Sequence, residues 1–328
     1  MRHSEIRPRP FSPSNMRKLL LLLCLAMCIS CPAKELSVLM IGNSFSESVL
    51  RYLPSVVGAS DDCKIFLAQC GIGGCVFSRH IDELHKSQLD PESRPYWTNQ
   101  GDALFGGRPN TNVPEILSVR KWDVITIQQG SHESWIPETF APAKELIDTI
   151  RAAQPQAEIR IQQTWSYRCD DPRLLAEGSW HIDQTEMYNR LTKNYQALSR
   201  EYGFRVIPTG LAVQIARRDS EIKFQPVPAE VWETPFHWPD LPRQAGDVVG
   251  QYYWRKNAET GELYMERDSI HLNRRGEYLQ ACVWFMSLYN KTAADIKFVP
   301  EIISNSDAAF LARCAEEAVK TAPQPASN

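Results

Sequence analysis

The feature that most constrains this chain is a series of short apolar runs alternating with amphipathic ones along most of its length. Residues 36–41, 64–68, 122–128, 158–163 and 205–208 read as strands, the first an almost unbroken apolar run. Between them, helices are expected from about Glu47, over 113–119 and over 184–202. Ala143, Leu146, Ile147 and Ile150 share one face of a further helix over 142–153, and Asn273 caps another running to about Tyr289. Strands that bury both faces and alternate with helices predict an α/β fold of three layers, a mostly parallel five-stranded sheet covered on two sides. Sheets of this kind bind ligands beyond the carboxyl ends of their strands. Residues 78–112 and 219–266 break the alternation, being weakly periodic and rich in Pro, Gly and Trp, so they read as long insertions that could wall a site.

The start of the chain reads as an address. Met16-Arg17-Lys18 precedes the apolar run Leu19–Met27 and a small-residue exit to Ala33, the pattern of a secretory signal. The run falls short of the roughly 20 apolar residues that span a bilayer, so no transmembrane anchor is expected in the mature chain. Cleavage near Ala33 would release an exported protein; Cys28 or Cys31 would instead be the lipidated residue of a bacterial lipoprotein. Removing residues 1–33 takes away five basic residues and one acidic residue and moves the net charge from −3 to −7. Neither value favours a nucleic-acid partner. The folded domain is expected over 34–322, followed by a disordered tail over 323–328. Oligomeric state is left open. Of the six cysteines beyond Ala33, Cys63 with Cys70 or Cys75 is the local pair an oxidising compartment would favour. None has the spacing of a zinc site.

Two short segments carry chemistry. In Gly42-Asn43-Ser44-Phe45-Ser46, a serine follows a buried strand and opens a helix, which puts its hydroxyl at the carboxyl edge of the sheet. Helix-start N–H groups there favour a developing oxyanion, although Ser and Asn are also ordinary N-caps. In Asp268-Ser269-Ile270-His271, the carboxylate can hold Nδ1–H of the histidine and leave Nε2 to accept a serine proton. Ser44, Asp268 and His271 together make a plausible acyl-transfer set.

With these segments the chain resembles the SGNH/GDSL hydrolase superfamily, secreted esterases and lipases of flavodoxin-like three-layer fold. The resemblance runs from Glu35 to about Tyr289. Gly42-Asn43-Ser44-Phe45-Ser46 stands where that family has Gly-Asp-Ser, a variant found in a bacterial branch, and implies Ser44 as nucleophile with its N–H as one oxyanion donor. Gly71-Ile72-Gly73-Gly74 matches the second block, which implies the N–H of Gly74, or of Gly73, as another donor. Asp268 and His271 match the terminal block in full. The third block departs from the family: His132 falls where an Asn side chain completes the oxyanion hole, with Gln129 and Gln128 as alternatives. The resemblance implies a carboxylic ester hydrolase with no metal or cofactor.

Substrate contacts are expected from Asn43 and from Trp165, Tyr167 and Arg168 after the fourth strand. Trp180 and His181, and the clusters Pro235-Phe236-His237-Trp238-Pro239 and Tyr252-Tyr253-Trp254-Arg255, are weaker candidates. His80 and His85 read as solvated. An exported chain with aromatic loops favours an acylated carbohydrate, O-acetyl above all, or another small ester. The rival readings are an SGNH-fold hydrolase cutting a different glycan linkage, and a glycan-binding protein without catalysis.

Overall fold

The computed structural model describes residues 33–227 and 236–325. The start of the chain, with Cys28, Cys31 and the apolar run, therefore lies outside the described residues, as do Pro235 and 326–328. Five strands run parallel: β1 (Lys34–Gly42), β2 (Cys63–Gly71), β5 (Val124–Ile127), β6 (Glu158–Gln162) and β7 (Arg205–Ile207). Two antiparallel two-residue strands, β3 (Tyr96–Trp97) and β4 (Asn110–Thr111), extend the β2 edge, so the sheet has seven strands in the order β4-β3-β2-β1-β5-β6-β7. The parallel five follow the flavodoxin order, in which the chain reverses direction across the sheet at β1 and β5. Ser44 comes directly after β1, at that switch point.

Helices cover both faces. On one side lie α2 (Leu53–Gly58), α8 (Thr209–Asp219), α9 (Arg274–Tyr289) and α10 (Asn305–Thr321). On the other lie α3 (Phe77–Leu89), α5 (Val113–Ser118), α6 (Ala143–Ala153) and α7 (Gln184–Tyr202). The sheet accounts for the apolar runs: Val38 to Ile41, Val124, Ile125, Ile127, Ile159 and Ile161 are all buried. α9 is buried on nearly every side because α10 covers the face turned from the sheet. Among the described residues no helix is long and apolar enough to cross a membrane.

The supposed insertions are more ordered than their weak periodicity implies. Residues 78–112 contain most of α3, the short α4 (Gly101–Phe105) and the two edge strands. His80 is buried on the same face as Phe77, Ile81 and Leu84, and its Nδ1 lies 2.9 Å from the Tyr96 hydroxyl. Burial holds it down to about 3, so it is a neutral core residue and not a solvated one. Part of 219–266 forms a hairpin of β8 (Val249–Lys256) and β9 (Leu263–Leu272). The tail after Ala322 is tied down at its start, where the Gln324 amide pairs with N–H and C=O of Val206 and blunts the open edge of β7. All six described cysteines are free thiols. Cys63 and Cys70 stand at opposite ends of β2, about 23 Å apart at the rise of a strand, and cannot pair.

Candidate active site

Ser44 is the first residue of α1 (Ser44–Glu47), a single turn capped by Asn43. The Asn43 Oδ1 accepts from Phe45 N–H at 3.0 Å, and its Nδ2 donates to the Cys75 carbonyl at 2.9 Å. That second bond fastens the nucleophile turn to the Ile72–Cys75 turn, which is closed by Cys75 N–H on the Ile72 carbonyl. Gly74 occupies the left-handed position in that turn, φ +63°, where a side chain would be strained. Gly42 is required for another reason: a Cβ there would lie 2.7 Å from Ser46 Oγ and 3.1 Å from the Gln128 side chain.

The Ser44 Oγ lies 3.0 Å from His271 Nε2, and His271 Nδ1 lies 2.9 Å from Asp268 Oδ2. On a flat strand, residues three apart point to opposite faces, so Asp268 and His271 should not meet. They meet because β9 bulges. Gln251 pairs with Asp268 and Val249 with Leu272, so four steps on β9 face two on β8. The Asp268 Oδ1 closes the bulge by accepting N–H of Ile270 at 2.9 Å and of His271 at 3.0 Å.

Electrostatics follow from this geometry. Burial would raise the Asp268 carboxyl, but the His271 hydrogen bond and charge and the two backbone N–H groups outweigh it and bring it to about 2. The same hydrogen bond raises His271 above its ordinary value against the opposing effect of burial, with the Asp268 and Glu47 charges adding to the rise. The histidine stays half-open to solvent, its side chain 45% exposed.

The segment after β6 braces the bulge. Trp165 Nε1 donates to the Ile270 carbonyl at 2.9 Å, Arg168 N–H to the Ser269 carbonyl at 2.8 Å, and Ser269 Oγ to Asp171 at 2.8 Å. The Trp165 ring stacks on Phe45 at 3.9 Å between centroids, and Phe45 meets His271 edge-on at 5.8 Å. Tryptophan, phenylalanine and histidine thus form one packed column beside Ser44.

This corrects the expected substrate contacts. Asn43, Trp165, Tyr167 and Arg168 are at most 2% exposed and cannot touch a substrate. Tyr167 shares a hydrogen bond with Ser131 at 2.8 Å. Arg168 grips Asp170 through Nε and Nη2 at 2.6 and 3.0 Å, between the rings of Phe224 and Tyr252. The candidate oxyanion side chains divide. Gln129 is wholly buried, its amide N–H groups on the Thr139 carbonyl and Glu133 and its Oε1 on N–H of Phe77 and Gly130, so it has no donor to offer. Gln128 is buried too and donates to Asn43 Oδ1 at 2.5 Å. His132 lies exposed on the turn after β5. Gly73 and Gly74 are likewise exposed. Trp180 is half-buried against Trp135, Tyr167 and Arg173. Among the described residues no cluster of His, Cys, Asp and Glu could hold a metal ion.

A family model described as a domain of unknown function, DUF4886, matches residues 37–226, more than half of the chain. The chain belongs to the DUF4886 family. A DUF4886 family protein from Bacteroides uniformis is similar in structure, with a TM-score of 0.66, 24% identity and coverage of 89% of this chain and 98% of that one. A proposed SGNH hydrolase from Slackia heliotrinireducens gives a TM-score of 0.44 at 16% identity, covering 78% of this chain and all (100%) of the other. A carbohydrate acetylesterase from Sinorhizobium meliloti gives 0.31 at 14% identity, covering 52% and 82%. No curated protein matches the sequence. At these identities the likeness to the DUF4886 structure is one of fold. The family match ends at residue 226, so the hairpin that carries Asp268 and His271 lies beyond it.

Proposed function

We propose that this DUF4886 protein is an exported serine esterase that removes acyl groups, acetate foremost, from a carbohydrate. The observation that carries the reading is the hydrogen-bonded chain Ser44–His271–Asp268, 3.0 and 2.9 Å, at the carboxyl end of the sheet. In this reading, Ser44 Oγ attacks the ester carbonyl while His271 Nε2 takes its proton. Asp268 keeps the proton on Nδ1 and stabilises the imidazolium. The oxyanion forms against N–H of Ser44, at the start of a helix whose first N–H groups have no helical partner, and N–H of Gly74. His132 is the side-chain donor in this proposal, since the amides of Gln128 and Gln129 are spent in the interior. His271 then protonates the leaving alcohol. Water, activated by the same base, releases the acid and restores Ser44.

The test is release of acetate from acetylated xylan, and hydrolysis of 4-nitrophenyl acetate, by the purified protein beside Ser44→Ala. The expected result is a fall of about a thousandfold or more in the variant. Equal, negligible rates for both proteins would reject the esterase reading and favour a different glycan linkage or a binding role.

A further inference from the structure

The β8–β9 hairpin has two unlike faces. Because side chains alternate and paired residues share a face, Tyr252, Trp254 and Arg267 lie on one side, and Gln251, Tyr253, Arg255, Tyr264, Glu266 and Asp268 on the other. The first face is packed down at its inner end, where Tyr252 donates its hydroxyl to Asp170 at 2.6 Å; further out the half-buried Trp254 donates Nε1 to the Asp240 carbonyl at 3.1 Å, and Lys256 and Leu263 at the tip are exposed. The second face is open. Gln251, Arg255 and Tyr264 are exposed, Tyr264 by 44%, and Tyr253 and Glu266 are half-buried.

The open face begins at the triad. Asp268 is its innermost member, the Tyr253–Glu266 pair stands about 7 Å further out, and the Arg255–Tyr264 pair about 14 Å out, at the rise of a strand. Its chemistry is selective. It carries two phenol rings, an amide and the Arg255–Glu266 ion pair at 2.7 Å, with no aliphatic side chain. A lipid chain would find two separate ring faces on it but no continuous apolar surface. A polyanion would find no net positive charge, because Arg255 and Glu266 cancel and Asp268 is negative. A neutral polyhydroxylated chain finds ring faces for its C–H surfaces and donors and acceptors for its hydroxyls.

We propose that this face, with Tyr253 and Tyr264 at its centre, is an extended binding arm for a neutral carbohydrate chain whose ester lies at Ser44. The inference rests on the esterase reading for its reaction, but the arm binds the chain whether or not an ester is present. It also accounts for the aromatic excess in Tyr252-Tyr253-Trp254-Arg255, since alternation along β8 assigns one tyrosine to packing and the next to the open face.

The experiment compares the full protein with the double variant Tyr253→Ala/Tyr264→Ala in two assays. The first takes the ratio of kcat/KM on acetylated xylan to kcat/KM on 4-nitrophenyl acetate; a fall of about tenfold or more in the ratio is expected. An unchanged ratio, including a proportional loss on both esters, would mean that the hairpin only supports Asp268 and would overturn the arm. The second is retardation in native gels containing de-acetylated xylan, expected for the wild type and lost in the variant. If the wild type hydrolyses neither ester, the esterase reading fails and the gel alone decides the arm. Equal mobility of the wild type with and without the polysaccharide would overturn it.

Discussion

Replacing Asp268 with asparagine isolates what the carboxylate does. Its carboxyl is brought from an ordinary 3.8 to about 2, which corresponds to about 2 kcal/mol of favourable interaction with its surroundings at neutral pH. The side chain is only 17% exposed, so solvent screens little of that. Part goes to the N–H groups of Ile270 and His271, which an asparagine oxygen could still accept. The part due to the imidazole is lost. With the carboxylate gone, burial is left as the main influence on His271, and burial lowers it. The expected result is a fall of about 10³ to 10⁴ in kcat on 4-nitrophenyl acetate, with the acidic limb of the kcat/KM profile moved to lower pH. NMR titration of the His271 ring reads the same shift without turnover. The stability signature has its own sign. Asp268 is depressed on folding, so its contribution is present above about 4 and lost as pH falls towards about 2, and the stability gap between wild type and variant should close across that window. A His271 titration that stays in place or moves upward in Asp268→Asn would refute the account of this site.

Other substitutions test the supports. Trp165→Ala removes a fully buried indole that stacks on Phe45 and holds the Ile270 carbonyl, and should cost about 3–5 kcal/mol in chemical denaturation. Trp165→Phe keeps a ring but not the N–H and should cost about 1 kcal/mol while lowering kcat more than it raises KM; an unaltered kcat would deny the brace a positioning role. His132→Ala should lower kcat/KM on 4-nitrophenyl acetate by about 10² to 10³ if the imidazole donates to the oxyanion, and a change below about tenfold would leave the two backbone donors as the whole hole.

Much of the architecture was legible because it rests on local patterns. The apolar runs at 36–41 and 158–163 became β1 and β6 within a residue or two at most ends, and α7 and the capped α9 fall where their spacing and Asn273 put them. Less periodic stretches hid real elements. The sequence patterns do not mark α8 and α10, and β8–β9 carries no strand signal of the apolar kind because a hairpin with one half-packed and one polar face has no continuous apolar run. Its alternation of Gln251, Tyr253 and Arg255 with Tyr252 and Trp254 was the available signal.

The candidate site divides along the same line. Sequence by itself singled out Ser44, Asp268 and His271, because a serine after a buried strand and an aspartate three residues before a histidine are local arrangements with a chemical meaning. It also placed Ser44 at the carboxyl end of the sheet, since strand direction follows from alternation. Only the tertiary structure decided which neighbours face outward. Trp165, Tyr167 and Arg168 have the side chains of a binding surface, yet all three are buried, Trp165 and Arg168 bracing the β9 bulge and Tyr167 bonded to Ser131. Gln128 and Gln129 have donor amides, yet both are spent on the backbone and side chains around them. Whether a polar group is available to a substrate depends on the partners it meets in the fold, such as the Thr139 carbonyl 10 residues from Gln129 and the Ile270 carbonyl 105 residues from Trp165.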